Sequence, residues 1–255
     1  MRQEFLKIKQ FPLQEKNVME THRICSTGDC RKHIVDFKHR HGLHKIIAFS
    51  GGADAELHGV AQDDPLQAQY KQCVAAIEGR LIGDAVGKFR GHRIAILTGG
   101  TKWGVPKTAT VEAKKHGLKT IGIFPLTGEK HALNEDLLDL SFCIEPAYGD
   151  SRWGDESPVF TNLLDGVIVY GGGAGTLTEC AHLLKINEAI LKAGIDSPKY
   201  IVPISGTGGV ADGLPFIWAK PEVRNHCMPD HRVTSGIEAA NIIIEKLNLF
   251  DYYDL

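Results

Sequence analysis

A run of β-branched residues that breaks into glycines constrains the fold of this chain more than any other feature. Val167 to Tyr170 is apolar and typical of a strand, Gly171-Gly-Gly-Ala-Gly175 follows, and Thr176-Leu-Thr-Glu179 begins a helical pattern. Glycines let the main chain approach an anion closely, and the unpaired N–H groups at a helix start attract negative charge. The sequence therefore predicts a phosphate-binding turn between a buried strand and a helix.

Three further strand-to-glycine junctions repeat this pattern. They are Lys45 to Gly52, Arg93 to Gly104 and Tyr200 to Gly209. Because parallel strands end on one edge of an α/β sheet, where such folds bind ligands, the four junctions predict one crevice. The candidate phosphate and nucleotide ligands are Ser50, Gly51, Gly99, Gly100, Thr101, Lys102, Gly172, Gly173, Gly175, Thr176, Gly206 and Asp212. The alternative is that the glycines only permit tight connections, above all in the turn from Gly206 to Asp212.

Strand and helix patterns alternate from Lys45 onward. The strand patterns are 46–49, 94–97, 120–124, 142–145, 167–170 and 200–204, and the helix patterns are 65–89, 106–116, 177–193 and 237–247. Such alternation predicts an α/β protein with a Rossmann-like, doubly wound parallel sheet and helices on both faces. Residues 1–44 are mixed and polar, and we interpret them as an N-terminal extension before a nucleotide-binding domain at 45–255.

Charge and cysteine usage narrow the function classes. A formal net charge of −2 gives no basic excess for a nucleic-acid or acidic-membrane partner. The chain has no secretion segment and no apolar run near 20 residues, so we expect a cytoplasmic protein. Cys25 and Cys30 precede several histidines, but no second cysteine pair answers them, and no metal is predicted. The turns are not G-x-G-x-x-G, so NAD as a hydride carrier is not predicted, and no cofactor is expected.

The segment Gly171-Gly-Gly-Ala-Gly-Thr-Leu-Thr-Glu179 resembles the P-G-G-x-G-T-x-x-E motif of LONELY GUY-type phosphoribohydrolases, once described as lysine decarboxylases. Leu97 to Gly104 and Gly122 to Pro125 are similar to that family's earlier glycine turn and strand end. Glycine at position 171, where the family motif has proline, looks more like the related molybdenum-cofactor carrier proteins. Other turns resemble the nucleotide-sensing module of melastatin-type TRP channels, and all these groups form one Rossmann-like superfamily.

The resemblance implies a hydrolase that cleaves the N-glycosidic bond of a nucleoside 5′-monophosphate or related nucleotide, with Glu179 as the catalytic carboxylate. The enzymes carry an arginine in the helix before the motif; here Glu156 occupies that position, and Arg152 is the nearest substitute. The alternative is a non-catalytic binder, either a sensor of ADP-ribose-like nucleotides or a carrier of a phosphate-bearing cofactor such as molybdenum cofactor. The family comparison also implies a homodimer or larger homo-oligomer.

Two local interpretations remain open from the sequence. Thr176-Leu-Thr-Glu179 is also a capping box, in which the glutamate would reach back to the amide at the start of its own helix. Trp103 and Trp153 could stack on a nucleotide base or serve only in packing. The polar and aromatic segment Tyr148 to Pro158 is typical of a loop that could cover the site.

Overall fold

The computed structural model describes residues 20–24, 27–52, 65–194, 198–217 and 220–249. In these ranges one sheet is formed by β1 Glu20–Ile24, β2 Lys45–Gly51, β3 Ile94–Thr98, β4 Lys119–Pro125, β5 Leu140–Ile144, β6 Gly166–Tyr170 and β7 Tyr200–Ile204. The helices are α1 Thr27–His41, α2 Pro65–Lys88, α3 Gly104–Lys115, α4 Ser157–Leu163, α5 Ala174–Ala193, α6 Gly209–Ile217, α7 Pro221–Cys227 and α8 Gly236–Lys246, with a 3-10 helix at Leu126–His131. None of the helices in these ranges is long and apolar enough to cross a membrane.

All pairings in the sheet are parallel, and the strand order is β1-β5-β4-β3-β2-β6-β7. Every residue of β3, β5, β6 and β7 is buried, which explains why these strands are near-continuous apolar runs. From β2 the chain first adds strands on one side through β3, and later adds β6 and β7 on the other. The order therefore changes direction between β2 and β6, where doubly wound sheets open a ligand crevice.

Helices cover both faces of the sheet, as the sequence predicts. One core joins α1, α4, α5, α6 and α7 to the sheet through buried residues that include Phe37, Phe160, Cys180, Leu214 and Val223. The other core joins α2, α3 and α8 through residues that include Ile82, Ala109 and Ile243. The α/β Rossmann-like class is thereby confirmed.

The chain before Lys45 contributes to this same sheet. Strand β1 pairs in parallel with β5 at the sheet edge, and α1 buries Cys30, Ile34 and Phe37 in the first core. Helix α1 escapes a pattern search because most of its other residues are charged or polar. Helices α4 and α7 have only seven residues each, which is too short for a helical period to stand out. Cys25, considered above as a zinc ligand, lies outside the described residues.

The edge strand carries a histidine whose protonation opposes folding. The rings of His22 and His33 stack with their centroids 3.7 Å apart. Burial, and then the charge of His33, hold the pKa of His22 below its usual value, and Arg40 acts in the same direction while Glu20 opposes it. Because the unfolded chain binds this proton more tightly, the contribution of His22 to stability is full above about pH 6.5 and is lost as the pH falls toward its lowered folded pKa.

We therefore expect the free energy of unfolding to fall less on acidification in His33→Gln than in the wild type. The substitution removes one cause of the lowered pKa and leaves the burial of His22 in place. Urea titrations at about pH 7.5 and pH 5.5 give the loss of unfolding free energy between these pH values for each protein. Comparing the two losses cancels the titration of groups elsewhere in the chain. Equal losses in the two proteins would contradict the expectation.

Candidate active site

The crevice is built from the adjoining ends of β2 and β6. In the register of the sheet Ser50 lies opposite Val169, and Gly51 lies opposite Tyr170. A Cβ at Gly51 would be 2.5 Å from the carbonyl oxygen of Tyr170, so only glycine allows the two main chains to approach this closely. The ends of β2 and β6 therefore lie close together at the point where the turn into α5 begins.

The turn into α5 depends on glycine for its conformation. Gly171 and Gly172 have φ angles of +45° and +88°, in the region that side chains disfavour. A Cβ at Gly172 would lie 2.3 Å from Oγ1 of the buried Thr176, which packs directly on the turn. Thr176 thus supports the turn from inside the helix.

The glycine turn from Gly206 to Gly209 holds the Gly171–Gly172 turn in place. The hydroxyl of Thr207 accepts a hydrogen bond from the Gly171 amide at 2.8 Å. At the start of α6, the amides of Val210 and Ala211 donate to the carbonyls of Gly172 and Gly171 at 3.1 and 3.0 Å. One acceptor and two donors at Thr207, Val210 and Ala211 therefore fix the Gly171–Gly172 turn.

Gly206 and Asp212, the two candidate ligands from the Gly206–Gly209 region, are bonded to each other. The Asp212 carboxylate accepts from the Gly206 amide at 2.6 Å and from the Gly208 amide at 3.0 Å. A carboxylate held by two backbone amides orders the turn locally. Asp212 therefore orders the turn through Gly206 and Gly208, and both Gly206 and Asp212 are exposed.

The start of α5 presents unpaired amides. Gly173 precedes the helix, its φ angle is −112°, and no side chain caps the helix. Within the described residues, the amides of Ala174, Gly175 and Thr176 donate to no acceptor. Gly173 and Gly175 are exposed, and a Cβ on either would meet nothing within 4 Å. Free amides and open space at the start of a 20-residue helix are suited to a phosphate.

Glu179 faces across the crevice. The hydroxyl of Ser50, at the end of β2, donates a short hydrogen bond to the Glu179 carboxylate. Helix α5 already begins at Ala174, so Thr176 and Glu179 lie within it and the capping-box interpretation is wrong. The pKa of Glu179 is raised to about 7, mainly by burial; the hydrogen bond from Ser50 opposes the rise and the charge of Glu156 contributes to it. The carboxyl can therefore gain or lose a proton at neutral pH.

The position of the expected arginine holds a carboxyl in the structure as well. Glu156 interacts electrostatically with Glu179, burial raises its own pKa, and its Oε2 accepts from the Gly154 amide at 2.8 Å. Arg152 is exposed, and within the described residues its guanidinium makes no ion pair. Its backbone amide donates to Asp155 at 2.8 Å. The structure thus places Glu156 within electrostatic range of Glu179 and leaves Arg152 on the surface.

Glu78 is a site residue that the sequence reasoning missed. Its carboxylate in α2 reaches the turn, because a Cβ at Gly171 would be 3.0 Å from its Oε1. Burial raises the pKa of Glu78 to about 7, and the described residues offer it no hydrogen bond. Helical periodicity puts Ile77 on the core face, yet Ile77 is 54% exposed and Glu78 turns inward. A charged residue four positions after Val74 and four before Ile82, on the apolar face, was the available signal.

The turn after β3 offers side chains more than amides. The Gly100 amide donates to Thr98 Oγ1 at 3.1 Å, and the Lys102 amide donates to the carbonyl of His131 at 3.0 Å. A Cβ at Gly100 would be 2.9 Å from the Cα of Gly122 on β4. Gly100 therefore shapes the turn, which is followed by the buried Thr101 and the exposed Lys102.

The parallel sheet and its glycine turn define a Rossmann-like α/β protein. The chain belongs to the SLOG cluster4 family, whose model matches residues 72–202, just over half of its 255 residues. No curated protein matches it.

Two solved structures have a similar fold. One is the X-ray structure of the structural-genomics target TM1055, with 18% identity, a TM-score of 0.53, and coverage of 79% of this chain and 99% of that chain. The other is the molybdenum cofactor binding protein from the phototrophic bacterium Rippkaea orientalis, with 20% identity, a TM-score of 0.51, and coverage of 80% of this chain and 97% of that chain. At these identities the likeness concerns the fold.

Proposed function

We propose that this protein binds a nucleoside 5′-monophosphate or a related nucleotide in the crevice and hydrolyses its N-glycosidic bond. The observation that carries the proposal is the environment of Glu179: a desolvated carboxyl, bonded to Ser50 across the crevice, with a pKa of about 7. Carboxyl groups with raised pKa values in a ligand crevice are characteristic of acid and base catalysts. The free amides at the start of α5 would hold the 5′-phosphate and position the ribose.

In the proposed reaction water adds to C1′ of the ribose and the bond from C1′ to the base nitrogen breaks. The bonding electrons leave with the base, which takes up a proton, and the products are ribose 5-phosphate and the free base. Ionised Glu179 stabilises the positive charge that develops on the ribose and accepts a proton from the water. The leaving base takes its proton from solvent, since Glu78 lies at the Gly171 turn, where the phosphate would bind.

A carrier or sensor of a phosphate-bearing ligand is the second candidate. The observation that favours it is the carboxyl of Glu156 beside Glu179, where the phosphoribohydrolases resembled have an arginine. A carboxyl there supplies no positive charge to a leaving group. Such a protein would use the same phosphate-binding turn and return its ligand unchanged.

Base release separates the two candidates. Purified protein is incubated with AMP, GMP, CMP, UMP, ADP-ribose and NAD, and free base and ribose 5-phosphate are quantified by chromatography. We expect equimolar release of both products from a monophosphate. No release, together with a ligand-induced rise in melting temperature, would support the carrier or sensor and overturn the hydrolase.

A further inference from the structure

Three aromatic rings from separate segments form a row beside the crevice, which we call the aromatic row: Trp103, His131 and Trp153. The ring centroids of Trp103 and His131 are 4.6 Å apart. Those of His131 and Trp153 are 6.5 Å apart, with ring planes only 18° from parallel. The residues come from the position before α3, the end of the 3-10 helix and the loop before α4.

The aromatic row stands on paired backbone. Thr101 forms an antiparallel bridge with Ala132, and the Leu133 amide donates to the carbonyl of Gly100 at 2.8 Å. Trp153 packs on main chain, since a Cβ at Gly128 would be 3.0 Å from the edge of its indole ring. A surface anchored in this way presents its rings in fixed positions, which lowers the entropy cost of stacking.

One side of this row is open to solvent. Trp153 is 55% exposed although the edge of its ring packs on Gly128. Burial, followed by the charges of Lys130 and Lys102, lowers the pKa of His131, so its ring is neutral at pH 7 and stacks without desolvating a charge. An exposed indole beside a neutral imidazole is a surface onto which a planar ring can stack.

The aromatic row is continuous with the carboxyl site and the β3 turn. Trp153 is followed by Gly154, whose amide donates to the Glu156 carboxylate. The charge of Glu156 in turn acts on Glu179. At the other end Lys102 Nζ lies 5.6 Å from the ring of Trp103. The nearby Thr101 hydroxyl is buried, and within the described residues it has no hydrogen-bond partner. A buried hydroxyl without a partner is the kind of group that a bound ligand satisfies.

We propose that the aromatic row is the base-binding subsite and that Trp153 stacks on a bicyclic heteroaromatic base of the purine size. This assignment rests on the proposed function, because the phosphate of the same ligand would occupy the start of α5. The bicyclic ring is favoured over a single ring because it matches the area of the bicyclic indole on which it would stack. Lys102 and Thr101 would contact polar groups of the ligand at the far end.

Calorimetric titration with AMP and with ribose 5-phosphate tests the subsite. All proteins carry Glu179→Gln so that AMP is not consumed, and Trp153→Ala, Trp153→Phe and Tyr148→Ala are compared in that background. Tyr148 is the matched control, because it lies in the same loop, is 93% exposed and is outside the aromatic row. Stacking of one base on one aromatic ring corresponds to about a 5- to 150-fold change in affinity.

We expect Trp153→Ala to weaken AMP at least about fivefold, Trp153→Phe to retain most of the affinity, and ribose 5-phosphate to bind all variants equally. An unchanged AMP affinity in Trp153→Ala, or an equal loss for AMP and ribose 5-phosphate, would overturn the subsite. A change of oligomeric state in Trp153→Ala without a change in AMP affinity would also overturn it, since Trp153 would then contact a second copy. If the protein that carries only Glu179→Gln does not bind ribose 5-phosphate, the phosphate site is overturned instead. The comparison of AMP affinities with and without Trp153 then still decides the base subsite.

Discussion

Glu179→Gln is expected to lower base release at least about 100-fold and, at the same time, to make the protein more stable at pH 8. Glutamine can still accept the hydrogen bond from Ser50, but it cannot carry the negative charge that the oxocarbenium-like ribose requires. The stability gain follows from linkage. Burial raises the pKa of Glu179 from 4.5 to about 7, so the folded state binds the proton more tightly than the unfolded state does.

The sign of the pH dependence follows from that shift. The penalty is absent below the unfolded pKa of 4.5, grows as the pH rises, and is complete above the folded pKa of about 7. At 1.36 kcal/mol per pKa unit the full effect is about 3 kcal/mol, and partial access of water to the side chain reduces the expectation to about 1–2 kcal/mol. Thermal unfolding at pH 5 and pH 8 should show a gain for Glu179→Gln at pH 8 that falls to about a quarter of that size at pH 5.

Glu188→Gln is the matched control for this substitution. It lies in the same helix, and its carboxylate pairs with Lys185 and Lys220, which lower its pKa. Its replacement should leave base release intact and give no stability gain at pH 8. An equal stability change at both pH values in Glu179→Gln would show that the carboxyl titrates normally, and full turnover would remove its catalytic role.

The six strands from β2 to β7 were predictable because they are buried on both faces along almost their whole length. Patterns such as Ile94–Leu97 and Val167–Tyr170 are short apolar runs bounded by turn residues, and the structure places them in strands. The edge strand β1 is different, since its first four residues alternate between half-buried and exposed positions and only Ile24 is buried. Its place in the sheet depends on pairing with β5, more than one hundred residues later, which no local pattern records.

Within the site, the residue types were predictable and their partners were not. The glycine run before α5 states its own conformational requirement, so the turn could be located from sequence. The partner of Glu179 is Ser50, 129 positions away, and the bond between them excludes the local capping box that the same sequence suggests. Likewise the Gly171 amide bonds to Thr207 across 36 positions, so the Gly206–Gly209 turn supports the Gly171–Gly172 turn.

Gly209→Ala is expected to destabilise the protein by about 3 kcal/mol and to disrupt the phosphate-binding turn together with the fold. Gly209 has a φ angle of +53°, and a Cβ there would be 2.2 Å from the carbonyl oxygen of Gly172. Main-chain atoms must therefore move apart. The hydrogen bonds from Val210 and Ala211 to the Gly171–Gly172 turn would be lost with that movement.

Gly175→Ala is the contrasting substitution in the same structure. A Cβ at Gly175 meets nothing within 4 Å, the residue lies inside α5, and alanine favours a helix over glycine by up to about 1 kcal/mol. We expect unchanged or higher stability by urea titration, but about tenfold weaker ribose 5-phosphate binding by calorimetry, because the methyl group takes space that the phosphate needs. If Gly175→Ala keeps its affinity while Gly209→Ala unfolds as expected, the start of α5 is only a structural turn. Loss of stability in both would instead show that Gly175 is needed for the fold.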